Sequence, residues 1–360
     1  MLFRLLPLVL FACSTPAKPE ASSAAPGPVP GPVPATAEGS ARVPALASTA
    51  QLVLPGGAGG IGFDDLGFSP VLHRVLAPAG RTGTLDLIDP ASRAIESIAG
   101  FSTDATFGGG HGEGTTSVDE GGGFLFATDR GRAQIAIVDP VAKSIVGTVK
   151  LAGTPDYVRW IDPVKEVWVT EPGKKQIEYF ALVASKLVRK GVISVPGGPE
   201  SLVVDATRGR AYTHTWDGTT VVIDLARHAE VARWKNGCEG SRGIALDEAR
   251  GFLFVGCEEG KAIALDVAHD GKQLGTVATG KGVDIIAYDP ARAHLYVPGG
   301  DSATLTIIGV APAGTLAVLA TVPAAADAHC VTADDTGHAY VCDPKHGSLI
   351  VVTDPFPATR

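Results

Sequence analysis

Seven copies of one pattern, spaced 42 to 50 residues apart, constrain this chain more than any other feature. Each copy is a short apolar strand, a turn, a second strand carrying a large residue, and a third strand ending near Asp. The large residue falls at Leu76, Phe126, Trp168, Tyr212, Phe254, Tyr296 and Tyr340, in steps of 50, 42, 44, 42, 42 and 44. A fixed period of this length, built from short strands with no helical stretch, predicts an all-β chain. The expected architecture is a seven-bladed β-propeller of four-stranded antiparallel blades. One unit cannot bury its apolar faces alone, so the copies must stack around an axis.

The fifth copy is the clearest. Strands are expected over Gly243–Asp247, Phe252–Gly256, Lys261–Asp266 and Lys272–Ala278, joined by turn formers such as His269-Asp270-Gly271. Asp-Pro pairs at Asp89, Asp139, Asp162 and Asp289 punctuate other copies, since Pro stops a hydrogen-bonded ladder. The last copy runs out after its third strand, at Asp354-Pro355-Phe356-Pro357. A spare strand, Gln51-Leu52-Val53-Leu54, precedes the first copy. Pairing it onto the last blade closes the ring and covers two open edges.

Residues ahead of that strand suggest an address. Arg4 and the apolar run Leu5 to Ala12 lead into Leu10-Phe11-Ala12-Cys13, which resembles a bacterial lipobox. The resemblance implies a signal over residues 1–13, lipidation of Cys13, and export to a bacterial membrane facing periplasm or cell surface. Residues 14–48 are rich in Pro, Ala and Ser and are expected to form a tether; residues 49–360 form the propeller. A net charge of −8 without a basic cluster argues against nucleic acid and against electrostatic membrane docking. The membrane would be reached only through the lipid anchor, and a monomer is expected.

Four cysteines remain besides Cys13. Cys238 precedes the inner strand of blade five and Cys257 follows its second strand; Cys330 and Cys342 hold nearly the same relation in blade seven. Antiparallel neighbours bring the start of one strand beside the end of the next, so two within-blade disulfides are expected. A metal site of His329, Cys330, Cys342 and His346 is the competing arrangement.

Propeller ligands gather at the axis, where residues just before each inner strand converge. Aligned copies place Asp64, Gly114, Asp156, Glu200, Arg242, Asp284 and Ala328 there, with Asp65, His111, Glu113, Tyr157, Asp327 and His329 as near neighbours. Crowded carboxylates raise one another's pKa unless a cation or Arg offsets them. The mouth is thus a candidate site for a polar ligand or a divalent cation such as calcium, set against a rim of merely solvated acids. The longest step adds a glycine-rich loop between Phe101 and Gly114, expected to overhang this mouth with His111.

Leu295-Tyr296-Val297 followed by Thr304-Leu305-Thr306-Ile307-Ile308, with Val167-Trp168-Val169-Thr170, resembles the YVTN-type β-propeller repeat family. That resemblance covers about 300 residues and implies an exported bacterial binding or scaffolding module with a protein or small polar ligand. The rival is an enzyme similar to the metal-dependent lactonases of the gluconolactonase type, which hold a divalent cation with carboxylates and Asn. Asp64, Glu113, Asp156, Glu200 and Asp284 would supply the acids, but Asn236 is the sole Asn.

Overall fold

The computed structural model describes residues 49–359. Seven four-stranded antiparallel sheets span residues 67–99, 118–150, 158–194, 203–235, 241–278, 287–323 and 331–353, the last completed by Ala50–Val53. The fold is a seven-bladed β-propeller, with short 3-10 turns as its only helical elements among the described residues. The expectations for residues 1–48 lie outside the described residues.

Blade five takes strands Ser241–Asp247, Phe252–Cys257, Lys261–Asp266 and Lys272–Ala278, within two residues of the sequence expectation. Ring closure is as expected: Ala50–Val53 pairs antiparallel with Ser348–Thr353 in the register Ala50↔Val351 to Val53↔Ser348. Gln51 Nε2 donates to Ser348 Oγ at 2.9 Å, and Leu52 packs its half-buried side chain on the core.

All seven large residues lie on second strands and are at most 2% exposed. Their polar tips are satisfied, as burial demands. Tyr296 Oη donates to Asp354 at 2.7 Å, Tyr340 Oη to Asp334 at 3.0 Å, and Trp168 Nε1 to Glu166 at 2.9 Å. Three residues ahead of each, the inner hairpin turn is left-handed: His73, Gly123, Lys165, Gly209, Gly251, Ala293 and Gly337 have φ between +50° and +93°. The Asp-Pro carboxylates cap turns, with Asp89 Oδ1 accepting from the Ala91 and Ser92 amides and Asp289 Oδ1 from those of Ala291 and Arg292.

Both cysteine pairs form within their blades, Cys238–Cys257 and Cys330–Cys342, with Cα separations of 5.3 and 5.5 Å. Cys330 and Cys342 are therefore not thiolate ligands, and His346 turns to Asp343, its Nδ1 2.9 Å from the carboxylate.

Candidate functional site

Each inner strand starts at the same end of the axis, so the residues preceding it share one mouth. Asp64, His111, Asp156, Glu200, Arg242, Asp284 and His329 line a cavity of about 510 Å³ there. Seven of the eight predicted site residues are thus brought together. Glu113 is the exception; it lies on the same loop as His111 but outside the lining.

The cavity also recruits Arg130, Pro172, Trp216 and Glu258, which sequence alignment of the inner strands did not select. Each stands four residues after the large residue of its blade, in the turn that ends the second strand. Second strands run antiparallel to inner ones, so their ends meet the inner starts at the mouth. The same reasoning that paired the cysteines would have found them.

Charge in the mouth is arranged in two groups. Arg130 lies between Asp64 and Asp156, at 3.0 and 3.3 Å, while Arg242 reaches Glu200 at 2.9 Å and Glu258 at 2.8 Å. Arg242 also stacks on the exposed Trp216, 4.5 Å above its ring. His111 Nδ1 stands 3.3 Å from Asp64, an ion-pair distance without hydrogen-bond alignment; this nitrogen is buried and has no hydrogen-bond partner among the described residues. His329 presents both ring nitrogens to backbone carbonyls, Phe63 at 2.9 Å and Asp327 at 2.5 Å.

Two guanidiniums and the His111 ring face five carboxylates. Burial pushes Asp156 well above the usual range, and the neighbouring Asp64 charge pushes it further. Burial likewise raises Glu200 to about 7, offset in part by Trp216 and Arg242, and raises Asp284 with Asp64 adding to the effect. Asp64 goes the other way: burial would raise it, but His111 and Arg130 hold it low. The Asp64 charge in turn lifts His111 to about 9.

Beneath the mouth the channel is barred. Arg159, in the blade-three inner strand, meets Asp65 with two donors, one at 2.9 Å, and passes a third bond to the Leu202 carbonyl at 3.0 Å. Ser117 Oγ donates to Asp65 and accepts from the Val158 amide, so blades one, two and three are tied in one network. Tyr157, under the Arg159 guanidinium, lines both the mouth and a second cavity of about 680 Å³ toward the opposite end.

No protein-family model and no curated protein matches the chain. Solved structures do. A chain of the mitotic checkpoint complex superposes with TM-score 0.71 at 14% identity, covering 90% of this chain and 96% of that one. Kuenenia stuttgartiensis hydrazine synthase gives 0.67 at 14% identity over 83% and 96%. The Cps50 (Swd1) β-propeller domain of Myceliophteria thermophila gives 0.67 at 12% identity over 85% and 99%. The likeness is one of fold.

The sole Asn lies away from the mouth. Asn236 is buried 1% exposed between blades four and five, where its amide donates to Thr220 and Ser241 and its oxygen accepts from Cys238 and Ser241. Among the described residues, no carboxamide lines the mouth beside the acids.

Proposed function

We propose that this protein is a non-enzymatic binding module, an exported propeller of the YVTN-repeat type tethered through Cys13. It takes a small polar ligand of net positive charge at the channel mouth. One observation carries the reading: Asp64, Asp156, Glu200, Glu258 and Asp284 outnumber the cations that face them, Arg130, Arg242 and His111, in a cavity of about 510 Å³. A solvated rim would leave those acids in water, whereas Asp64, Asp156 and Glu200 are buried. Two within-blade disulfides suit an oxidising compartment.

The test is thermal melting with calcium, zinc or 1,4-diaminobutane as cationic probes, on wild type, Asp156→Asn and Glu200→Gln. A probe at a hundred times its Kd stabilises the fold by about 2.7 kcal/mol, a shift of a few degrees for a domain of this size. The expected outcome is that at least one probe shifts wild type, and that both variants melt higher without probe yet respond less to it. No shift with any probe would reduce the carboxylates to a rim and remove the reading.

A further inference from the structure

His111, Asp284 and His329 come from three separate segments: the long loop between blades one and two, and the starts of blades six and seven. Yet one ligand atom from each lies within 4.8 Å of the other two. The two imidazoles stand edge to face at 80°, with centroids 5.8 Å apart. Asp64 sits behind His111, its Oδ2 3.3 Å from Nδ1. Among the described residues, that Nδ1 is buried without a hydrogen-bond partner.

We infer that His111, His329 and Asp284 form a binding site for one divalent transition-metal ion. The inference rests on the mouth being a ligand site and names the ion that anchors the ligand there. Two imidazoles and one carboxylate are the donors preferred by zinc, copper, nickel and iron; calcium asks for six to eight oxygens. A metal-bound imidazole commonly donates its other N–H to a carbonyl or carboxylate. Both His329 ring nitrogens face backbone carbonyls, so the ring must release one of them, Phe63 or Asp327, to ligate, and keeps its N–H bond to the other. Three protein donors would leave coordination positions open for a small ligand, and all three residues line the cavity.

The loop is fixed well enough to serve. A Cβ on Gly62 would stand 2.3 Å from the Gly110 carbonyl and 3.0 Å from His111 Cα, so blade one holds the loop by close backbone contact. The Phe107 ring packs against Gly60. Gly62→Ala therefore displaces His111 without removing any donor.

The experiment strips the oxidised chain with a chelator and titrates it with Co²⁺, Zn²⁺ and Ca²⁺, reading the visible ligand-field bands of Co²⁺ and its displacement. Wild type is expected to bind one equivalent of Co²⁺, to release it to Zn²⁺ and to retain it against Ca²⁺. His111→Ala and His329→Ala are expected to weaken binding about 100-fold or more, and Gly62→Ala about tenfold, all remaining folded by melting. Failure of wild type to bind Co²⁺ or Zn²⁺, or wild-type affinity retained in either His variant, overturns the inference. If calcium or the diamine then still shifts melting in an Asp156-dependent way, the mouth remains a ligand site without a transition metal. If no probe shifts it, both readings fall.

Discussion

Glu200 and His111 respond to pH over different windows. Glu200 is raised by burial to about 7 in the fold, so the fold holds its proton more tightly than the unfolded chain does. The resulting stability is present below the unfolded value of 4.5 and is lost as pH rises through 7. His111, lifted to about 9 by Asp64, contributes stability below its unfolded 6.5 that disappears as pH rises through 9. Melting temperature should therefore fall from pH 7 to 9.5 in wild type, and His111→Gln should flatten that fall. Glu200→Gln should flatten the earlier segment, between pH 4.5 and 7, and leave the later one; equal profiles for all three proteins would refute both assignments. Arg159 makes a separate prediction. Removing one partner of a buried ion pair costs about 3–5 kcal/mol, so Arg159→Met should melt far lower, and adding Asp65→Asn should recover part of the loss. The charged pair was half legible in the sequence. Asp65 stood out by its position before a strand, but Arg159 lies inside one, and only its bonds to Asp65 in the structure show which way it points.

The inner hairpin repeats one backbone demand seven times, and the sequence meets it unevenly. Gly209, at φ +64° with open space around its missing Cβ, shows the cost of the conformation alone. Gly209→Ala should destabilise by about 1 kcal/mol, because L-residues are disfavoured there. Ala293, at φ +54°, is the mirror case: Ala293→Gly should be neutral or raise melting by about a degree or two, the relief being partly offset in the unfolded chain. A melt in which Gly209→Ala matches wild type would show that the turn is not held in this form. The disulfides belong to the same scale. Closing loops of 19 and 12 residues should contribute about 3 kcal/mol each on the chain-entropy model. Non-reducing peptide maps should recover only Cys238–Cys257 and Cys330–Cys342. Strands were the most readable level, because turn formers and apolar alternation set their ends; blade five needed corrections of one or two residues. Arg130, Trp216 and Glu258 were passed over because only the inner-strand starts were aligned, although their spacing from the large residue is as regular as the period itself.

For the molecule as a whole, the ring depends on a strand that contributes nothing to its own neighbourhood. Deleting residues 1–48 should leave melting nearly unchanged, whereas deleting 1–56 removes the Ala50–Val53 strand and bares the edge of Ser348–Thr353. The second truncation should melt far lower and tend to associate; equal melting would mean that the pairing does not hold the ring. Architecture was legible because the period is a property of the whole chain. The ligand was not, because the period fixes where the mouth lies and leaves its side chains free to vary. Closure also sets an order of events. Gln51 bonds to Ser348 across 297 positions of sequence, so this strand waits for its partner while all the intervening blades are made. Until then both it and the last blade wait with open edges, and any delay in the final segment lengthens the interval in which strangers can pair with them.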